Sequence, residues 1–380
     1  MKLSKSINKY WLGYFVVKIF YMFFALFVYQ KFINPDRPVG DTALYLGITS
    51  LDNNDNFDLI FQDPTIMMEY FGRLSSSFLG PVFGNLPFML LGFYGVYYSV
   101  SKLKLNNNQL LWVLFLLSFP TFGVYSSIIG KEAMCVFYFG IIGGYLFDIL
   151  DKTRAKPKLI ELLAFYLLFF FTPTFSVAII SLFLFIFISR KLHLKGNKKL
   201  ILFILYILLT IFLFYIYRDV INDMSFNVTK HFSSDVGSTR ENTIFINDND
   251  IFWNAPYGMF IAFWGPTFNE IFQKPIQSIA FIESLIIFSF FIFFIWKFLS
   301  KTLKTSRLNI YVFALTFIAL FWILFAHYPA GVLNPGSGLR YRERFYAFLV
   351  VFLFYFYSKY LKKGKDLKFK QIQKYSPKEP

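Results

Sequence analysis

Apolar runs of about 18 to 25 residues recur along this 380-residue chain, and a helix needs about 20 such residues to cross a bilayer. Hydrophobic residues make up 56% of the sequence and the mean hydropathy is +0.52, so no stretch is left for a separate soluble domain. The first run, Tyr10 to Tyr29, is too long for a signal-peptide core and is followed by no small-residue cleavage site. The sequence therefore predicts one all-α, polytopic integral membrane domain over residues 1–380.

The distribution of positive charge indicates the topology. The net charge is +16, but the basic residues gather in short connectors between apolar runs, as the positive-inside rule predicts for cytoplasmic loops. Membrane topology accounts for the charge, so nucleic acid binding is not supported. The connectors are Lys2/Lys5/Lys9, Lys102/Lys104, Lys152/Arg154/Lys156/Lys158, Arg190/Lys191/Lys195/Lys198/Lys199, Lys297/Lys301/Lys304/Arg307 and the lysine-rich tail 359–380.

Placing these connectors in the cytoplasm predicts about ten membrane segments with both termini inside. The stretch 159–188 has both ends inside but is short for two spans, so we expect a pair of short helices that turn at Pro173. Two large loops, 33–76 and 218–274, then lie outside, and the apolar patch 251–268 dips into the interface. The expected spans are 10–32, 78–100, 109–129, 132–149, the pair within 159–188, 200–217, 275–297, 309–327 and 345–358.

The segment Asn334 to Arg344 places Arg340, Arg342 and Arg344 on the outer side, where the positive-inside rule does not explain them. Arginine binds phosphate oxygens in a planar, bidentate geometry, so the cluster is a candidate anion site. If the segment is helical, Arg340 and Arg344 share a face; if it is extended, all three project to one side. The alternative is a salt-bridge network with Glu343 that only fixes the loop.

Other charged residues on the predicted outer side are candidates for chemistry. Asp41 directly follows the first span and is placed to deprotonate a hydroxyl group. Its loop also contains Arg73, which either pairs with a neighbouring acid or faces a substrate. Lys131 and Glu132 lie between two apolar runs, so we expect them to pair or to face a cavity.

The second outer loop contributes Arg240 and an aromatic turn from Trp264 to Glu270. Glu283 follows about two turns inside the next span. An ionisable group within the membrane is by default a candidate functional residue, and Lys18 is its most obvious counter-ion.

Metal and thiol chemistry are not predicted. Cys135 is the single cysteine, so an internal disulfide is excluded. The three histidines, His193, His231 and His327, are far apart in sequence and show no ligand spacing. The chain contains no glycine-rich phosphate loop and no nucleophile elbow.

Four of these segments together resemble the Wzy-type O-antigen and capsular polysaccharide polymerases, including their EpsG-like branch. Each motif is short, but with the span pattern they cover most of the chain. The turn at Phe171-Thr172-Pro173-Thr174 departs from the Arg-Pro expected there, which weakens a phosphate-binding role for it. The matching segments are Gly40-Asp41 to Tyr45, Pro120 to Glu132, Trp264-Gly265-Pro266 to Glu270 with Glu283, and Asn334 to Arg344.

The resemblance implies an enzyme of the bacterial cytoplasmic membrane that transfers a growing glycan from undecaprenyl diphosphate onto a fresh lipid-linked repeat unit. It implies no metal and no cofactor, with arginines stabilising the departing diphosphate. Implied partners are the lipid-linked glycans and the bilayer, with a chain-length regulator and a flippase as possible protein partners. The candidate residues are Arg340, Arg342, Arg344 and Arg240 for the diphosphate, Asp41 as base with Glu270 and Glu132 in reserve, and Lys131, Arg73, Glu283, Tyr45 and Trp264 as further site residues.

Two alternatives stay open. A lipid-sugar-dependent glycosyltransferase that adds one sugar, or an O-antigen ligase, explains Asp41 equally well. A lipid-linked oligosaccharide flippase or another transporter is a different class, for which we expect an internal repeat and charges deep in a central cavity.

Overall fold

The computed structural model describes residues 5–33, 41–47, 59–231, 240–272, 275–305 and 309–361. Every regular element in these ranges is helical. Six helices are long and apolar enough to cross a membrane, and a bent helix pair adds a seventh if it is counted as one span. The prediction of an all-α membrane protein with several spans is confirmed. The ten-segment topology stays a prediction.

The described ranges contain sixteen α-helices and three shorter helical elements of other types, including a π-helix, Tyr357–Leu361, that follows the last α-helix. A π-helix, Phe24–Ile33, continues α1, and a 3-10 turn, Phe268–Glu270, follows α13. The α-helices are α1 Lys5–Phe23, α2 Thr42–Tyr45, α3 Pro64–Phe83, α4 Leu86–Ser101, α5 Asn107–Leu116, α6 Pro120–Tyr125, α7 Lys131–Leu150, α8 Leu159–Phe171, α9 Pro173–Lys191, α10 Asn197–Ile216, α11 Arg218–His231, α12 Asp250–Trp253, α13 Ala255–Trp264, α14 Pro275–Thr305, α15 Ile310–Leu333 and α16 Pro335–Phe356.

Helix α7 is the centre of the bundle, and α4 and α16 run parallel to it. At the start of α7, Glu132 bonds to Arg344 of α16; at its end, Asp151 accepts a hydrogen bond of 2.8 Å from Tyr355 Oη. We call these two ends of the bundle the arginine end and the lysine end. Twenty residues of α7 separate them by about 30 Å.

Basic residues from several connectors meet at the lysine end. Asp148 Oδ2 accepts from Lys102 Nζ at 2.7 Å and from Arg154 Nη2 at 3.1 Å. Lys359 Nζ lies 2.6 Å from Asp151 Oδ2, and Arg190 donates to the backbone of Ile149. Residues from four of the predicted cytoplasmic connectors therefore lie at the same end of α7.

Glycine allows α4 and α7 to approach closely. A Cβ atom at Gly140 would lie 2.2 Å from the carbonyl oxygen of Gly95, and one at Gly95 would lie 2.5 Å from that of Val136. Where lipid supplies no hydrophobic driving force between helices, close backbone packing of small residues holds them together.

The helix at the last predicted span starts earlier than expected. We expected a span from residue 345, but α16 begins at Pro335, so the three arginines lie in its first turns. Asn334 is the N-cap and accepts from Ser337 N at 3.0 Å, and proline at the first helical position is pre-organised for a helix. The hydrophobic profile missed this start because the first turns are polar.

Two predicted spans are broken helices. The span at 78–100 is the pair α3 and α4, which meet at 93°, because Gly80 takes a left-handed conformation (φ 76°) before Pro81. The span at 109–129 is divided into α5 and α6 at Phe119, which is extended before Pro120.

The two predicted outer loops contain more helix than expected. The part of loop 33–76 from Pro64 onwards belongs to α3, and loop 218–274 contains α11, α12 and α13. The patch 251–268 packs against α15, where Tyr328 Oη donates to the carbonyl oxygen of Ile251. The predictions for residues 1–4, 34–40, 48–58, 232–239, 273–274, 306–308 and 362–380, which include Lys2, Arg307 and most of the basic tail, lie outside the described residues.

The predicted break near Pro173 is present. Helix α8 ends at Phe171, and Thr172 has a non-helical conformation before α9 begins. Helix α9 has 19 residues, so it is longer than the short pair that we expected. Thr172 Oγ1 lies 2.7 Å from Tyr138 Oη of α7, which fixes the break against the centre of the bundle.

The close packing of α4 on α7 predicts a large effect for one added methyl group. Gly140→Ala should destabilise the protein by about 1–3 kcal/mol, because Gly95 must move to admit the Cβ atom. Gly13→Ala is the matched control, since nothing lies within 4 Å of a Cβ atom there. Thermal unfolding in detergent should show a lower Tm for the first variant only; equal Tm values would contradict this packing.

Candidate functional site

Two guanidinium groups of α16 converge on one carboxylate at the arginine end. Glu132 Oε1 lies 3.0 Å from Arg340 Nε and 2.9 Å from Arg344 Nη2. These arginines are one turn apart on the same face, as the helical alternative predicted. The Arg344 guanidinium also lies 4.0 Å from the ring centre of Tyr341, a cation–π contact that fixes its plane. The side chain of Glu132 is only 4% exposed, so the cluster is built around a buried acid.

Asp41 is the solvent-accessible acid of this cluster. It forms an ion pair with Arg340, and Tyr45 Oη donates to Asp41 Oδ2 at 3.3 Å. Its side chain is 42% exposed, in contrast to Glu132. Thr42 follows it in the chain and donates to the carbonyl oxygen of Ile129 at 3.1 Å. This bond joins α2 to the segment that leads into α7.

Helix α3 completes the rim of the cluster. Lys131 Nζ donates to Thr65 Oγ1 at 2.8 Å, whereas Glu132 bonds to Arg340 and Arg344. The expected pairing of Lys131 with Glu132 is therefore not formed. Arg73 pairs with Glu69 one turn before it at 3.6 Å. The Lys131–Thr65 bond joins α3 to the start of α7, whereas the Arg73–Glu69 pair lies within α3.

The formal charges of the arginine-end cluster balance. Its cations are Arg340, Arg344 and Lys131, and its acids are Asp41, Glu132 and, beside Lys131, Asp63, which gives +3 − 3 = 0. Within the described residues, Nη1 of Arg340 and Nη1 of Arg344 make no hydrogen bond, so both can donate to a further anion. The arrangement suits a phosphate or carboxylate ligand.

Arg342 points to the opposite face of α16 and is completely buried. It donates to Glu343 Oε1 at 3.0 Å, to Ser284 Oγ at 2.8 Å and to the carbonyl oxygen of Phe263 at 3.2 Å. The predicted network between an arginine and Glu343 is therefore formed by Arg342. This residue stands apart from Arg340 and Arg344, and the expectation that all three act together at one anion is not supported by the geometry.

Glu283 belongs to this buried cluster rather than to Lys18. The carboxylate of Glu283 lies 3.9 Å from Arg342 Nη2 and accepts from Thr121 N at 3.0 Å. Lys18 Nζ instead donates to the carbonyl oxygen of Ser126 at 2.7 Å. The prediction of Lys18 as counter-ion was wrong, because α6 lies between α1 and α14 and each group bonds to a different residue of it.

Arg240 and Glu270 form a third, separate pair. Their two hydrogen bonds are bidentate, at 2.5 and 2.8 Å. Arg240 also donates to the carbonyl oxygens of Gly331 and Val332 at 3.2 and 2.9 Å, in the last turn of α15. These bonds hold the aromatic turn to α15 and satisfy helix-end carbonyl groups, so the pair has a structural function in this conformation.

Trp264 packs against the neighbouring Phe263 and against aromatic rings near the middle of α14. Its ring centre lies 4.6 Å from that of Phe263 and 5.1 Å from those of Phe288 and Phe291. It lines a cavity of about 310 Å³ that also includes Ser284. The cavity is thus next to the Arg342 cluster.

The structure divides the predicted site residues into three groups. Thr121 and Ser284, which bond to Arg342, were missed because isolated hydroxyl residues carry no distinguishing pattern in a sequence. The arginine-end cluster contains Asp41, Tyr45, Lys131, Glu132, Arg340 and Arg344, with Arg73 beside it; the Arg342 cluster contains Glu283; and Arg240 pairs with Glu270.

Among the residues that the structure describes, no three His, Cys, Asp or Glu side chains lie together as metal ligands. The expectation that the chemistry needs no metal stays a prediction. No family model matches the sequence, and no curated protein or solved structure matches it significantly. The proposals below therefore rest on the residues and their geometry.

The Arg240–Glu270 pair predicts an acid-sensitive contribution to stability. Burial alone would raise the pKa of Glu270, but hydrogen bonds from Arg240 and from the backbone of Thr267 hold it below its usual value. The stabilisation, about 1–3 kcal/mol, is therefore present above the ordinary pKa of a glutamate and is lost as the pH falls through the lower folded value.

Comparison of wild type with Glu270→Gln at several pH values tests this contribution. The variant should have the lower Tm at neutral pH. The difference in Tm should shrink as the pH falls below about 4, which is close to the usual pKa of a glutamate side chain. A difference that is the same at all pH values would show that the ion pair does not stabilise the fold.

Proposed function

We propose that this protein is a membrane glycosyltransferase that polymerises undecaprenyl diphosphate-linked oligosaccharide repeat units into O-antigen, capsular or exopolysaccharide. The reaction takes place at the outer face of the bacterial cytoplasmic membrane. The observation that carries the proposal is the pair Arg340 and Arg344, held side by side by Glu132 at one end of a membrane bundle.

This pair matches the electrostatic demand of the reaction. When a glycan leaves undecaprenyl diphosphate, negative charge develops on the diphosphate oxygens. Fixed guanidinium groups stabilise such charge without reorganising, and one well-placed donor is worth on the order of 10²–10³ in rate. Lys131 adds a further positive charge at the rim, where it bonds to Thr65. Together these groups would hold the diphosphate of the donor lipid.

Asp41 is the proposed base for the acceptor hydroxyl group. It is the exposed acid of the cluster, and it lies beside the arginines that would bind the leaving group. Its bonds to Arg340 and Tyr45 involve Oδ2, and within the described residues no hydrogen bond is made by Oδ1. A hydroxyl group could approach that oxygen while the arginine contact stays in place.

The proposed orientation places the arginine end outside and the lysine end in the cytoplasm. Ten membrane segments then leave both termini in the cytoplasm. This orientation is supported by the meeting of Lys102, Arg154, Arg190 and Lys359 at one end of α7, because positive charge is concentrated on the cytoplasmic side.

Cysteine labelling tests the orientation. Gly336→Cys lies at the exposed start of α16, and Lys156→Cys lies in an exposed connector at the lysine end. In intact cells a membrane-impermeant maleimide should label position 336 and not position 156; permeabilised cells should show both. The native Cys135 is buried, so labelling of the wild type gives the background signal. The reverse pattern would overturn the orientation.

A transporter of lipid-linked glycans is the second candidate. The buried charges Arg342, Glu343, Glu283 and Lys18 favour it, since transporters carry ionisable groups deep in the membrane. The two classes differ in the species that accumulates when the protein is removed. Loss of a polymerase leaves single repeat units on the outer face, whereas loss of a flippase leaves them inside.

Variants of the arginine pair test the polymerase. Arg344→Ala should lower the amount of long-chain glycan by about 10²–10³, while single repeat units still reach the outer face. Arg344→Lys should restore only part of the activity, because it keeps the charge but loses the bidentate geometry. Arg218→Ala, an exposed arginine, is the control. A normal chain-length ladder with Arg344→Ala would contradict the proposed role.

Asp41→Asn separates transfer from binding. It should stop polymer formation but leave lipid-linked donor bound, because Arg340 and Arg344 remain in place. Photo-crosslinking of a lipid diphosphate measures the binding, and gel ladders of the glycan measure the transfer. Polymerisation at the wild-type rate would remove Asp41 as the base, and a simultaneous loss of binding would assign it a purely structural role.

A further inference from the structure

The Arg342 cluster contains two carboxylates and one guanidinium group in the interior of the protein. Arg342, Glu343 and Glu283 are 0%, 1% and 5% exposed at their side chains. Two carboxylate charges against one arginine would leave one uncompensated negative charge, and an unpaired charge at such a site is strongly unfavourable.

The hydrogen bonds around Thr121 lead to the same conclusion by a count of hydrogens. Thr121 Oγ1 contacts both Glu283 Oε2 and, at 3.1 Å, Glu343 Oε1. A hydroxyl group has one hydrogen and can donate to only one of these oxygens. It also accepts from Arg342 Nη2 at 3.3 Å. Two separate hydrogen bonds are formed only when one carboxyl group donates its own hydrogen to Thr121 Oγ1, so the arrangement favours a protonated carboxyl group.

A buried oxygen without a partner is the second observation. Glu343 Oε2 is inaccessible to solvent and makes no hydrogen bond within the described residues. An ionised carboxylate in the interior normally has its oxygen atoms hydrogen-bonded, because an unsatisfied one costs about 1–3 kcal/mol or more. A neutral carboxyl group tolerates this position far better.

We propose that Glu283 and Glu343 form a buried proton-binding site that holds one shared proton at neutral pH. The bound ligand is a proton. With it, the two glutamates and Arg342 together carry no net charge. Close carboxyl groups cannot both ionise, so they titrate as a pair. Neither this site nor its ligand depends on the reaction catalysed at the arginine end.

Several other groups face the pair from the surrounding helices. From α16 they are Arg342 and the buried hydroxyl group of Tyr346. The imidazole of His327 of α15 bonds to the carbonyl oxygen of Ala262 and lies on the side of Arg342. Tyr21 of α1 donates to the carbonyl oxygen of Ser118 and lies on the side of Glu283. Among these groups Arg342 alone bonds directly to a carboxylate of the pair.

Binding of this proton affects the packing of the first turns of α16. The same first turns of this helix carry Arg342 and Glu343 on one face and Arg340 and Arg344 on the other. Loss of the proton would place a net negative charge between α14 and α16. Stability should therefore fall as the pH rises, since the folded protein binds one more proton than the unfolded chain.

Infrared spectroscopy of the purified protein tests the site directly. At pH 7 the wild type should show the C=O stretch of a protonated carboxyl group, shifted by exchange into D₂O. Glu343→Gln and Glu283→Gln should each remove that band, because the remaining carboxylate then pairs with Arg342 and ionises. Glu270→Gln, outside the cluster, should leave it unchanged.

Each result decides between proton arrangements. The absence of this band in the wild type would overturn the proposal. A band that is lost in only one of the two variants would also overturn it, because the proton would then belong to a single acid. Thermal unfolding gives a second measurement. The Tm of the wild type should fall between pH 6 and 9 more steeply than that of Glu343→Gln, on the order of one proton per molecule; parallel curves would contradict proton uptake.

Discussion

The carboxylate of Glu132 joins the start of α7 to the start of α16, and the arrangement of the site depends on it. One oxygen atom binds both Arg340 and Arg344, so a single acid sets the position of two cations. The parallel packing of α4, α7 and α16 provides the frame for this contact. Close backbone approach at Gly95 and Gly140 holds α4 against α7, the helix that carries Glu132.

The first turns of α16 resolve a conflict between charge and burial. Arginine within a membrane helix is costly unless each guanidinium group has partners. Here the two faces of one helix solve this differently. Arg340 and Arg344 share the buried acid Glu132, and Arg340 also pairs with the more exposed Asp41. Arg342 bonds instead to Glu343, Ser284 and the carbonyl oxygen of Phe263. Arginines that are two residues apart in a helix project from opposite faces of it.

The sequence predicts the helical membrane class well, because the length and hydropathy of the runs are local properties. It also predicts the break at Thr172, where proline acts on its neighbour. It does not predict that α16 starts at Pro335, since polar first turns carry no hydrophobic signal. The partners of Glu283 and Lys18 depend on where α6 lies between other helices, and that is a tertiary property. The sequence likewise predicts Arg240 and Glu270 as site residues, but only the fold shows that they bind each other.

The tight corner between α15 and α16 also limits how an anion can meet the arginines. A Cβ atom at Gly338 would lie 2.7 Å from the carbonyl oxygen of Gly331, so the two helices are pressed together where α16 begins. Arg340 is five residues beyond Pro335, about 8 Å along the helix axis. For the proposed diphosphate ligand, this means that its charged group must pass the start of α16 to reach the guanidinium groups. A diphosphate attached to a long, flexible lipid would meet that requirement more readily than a bulky soluble anion.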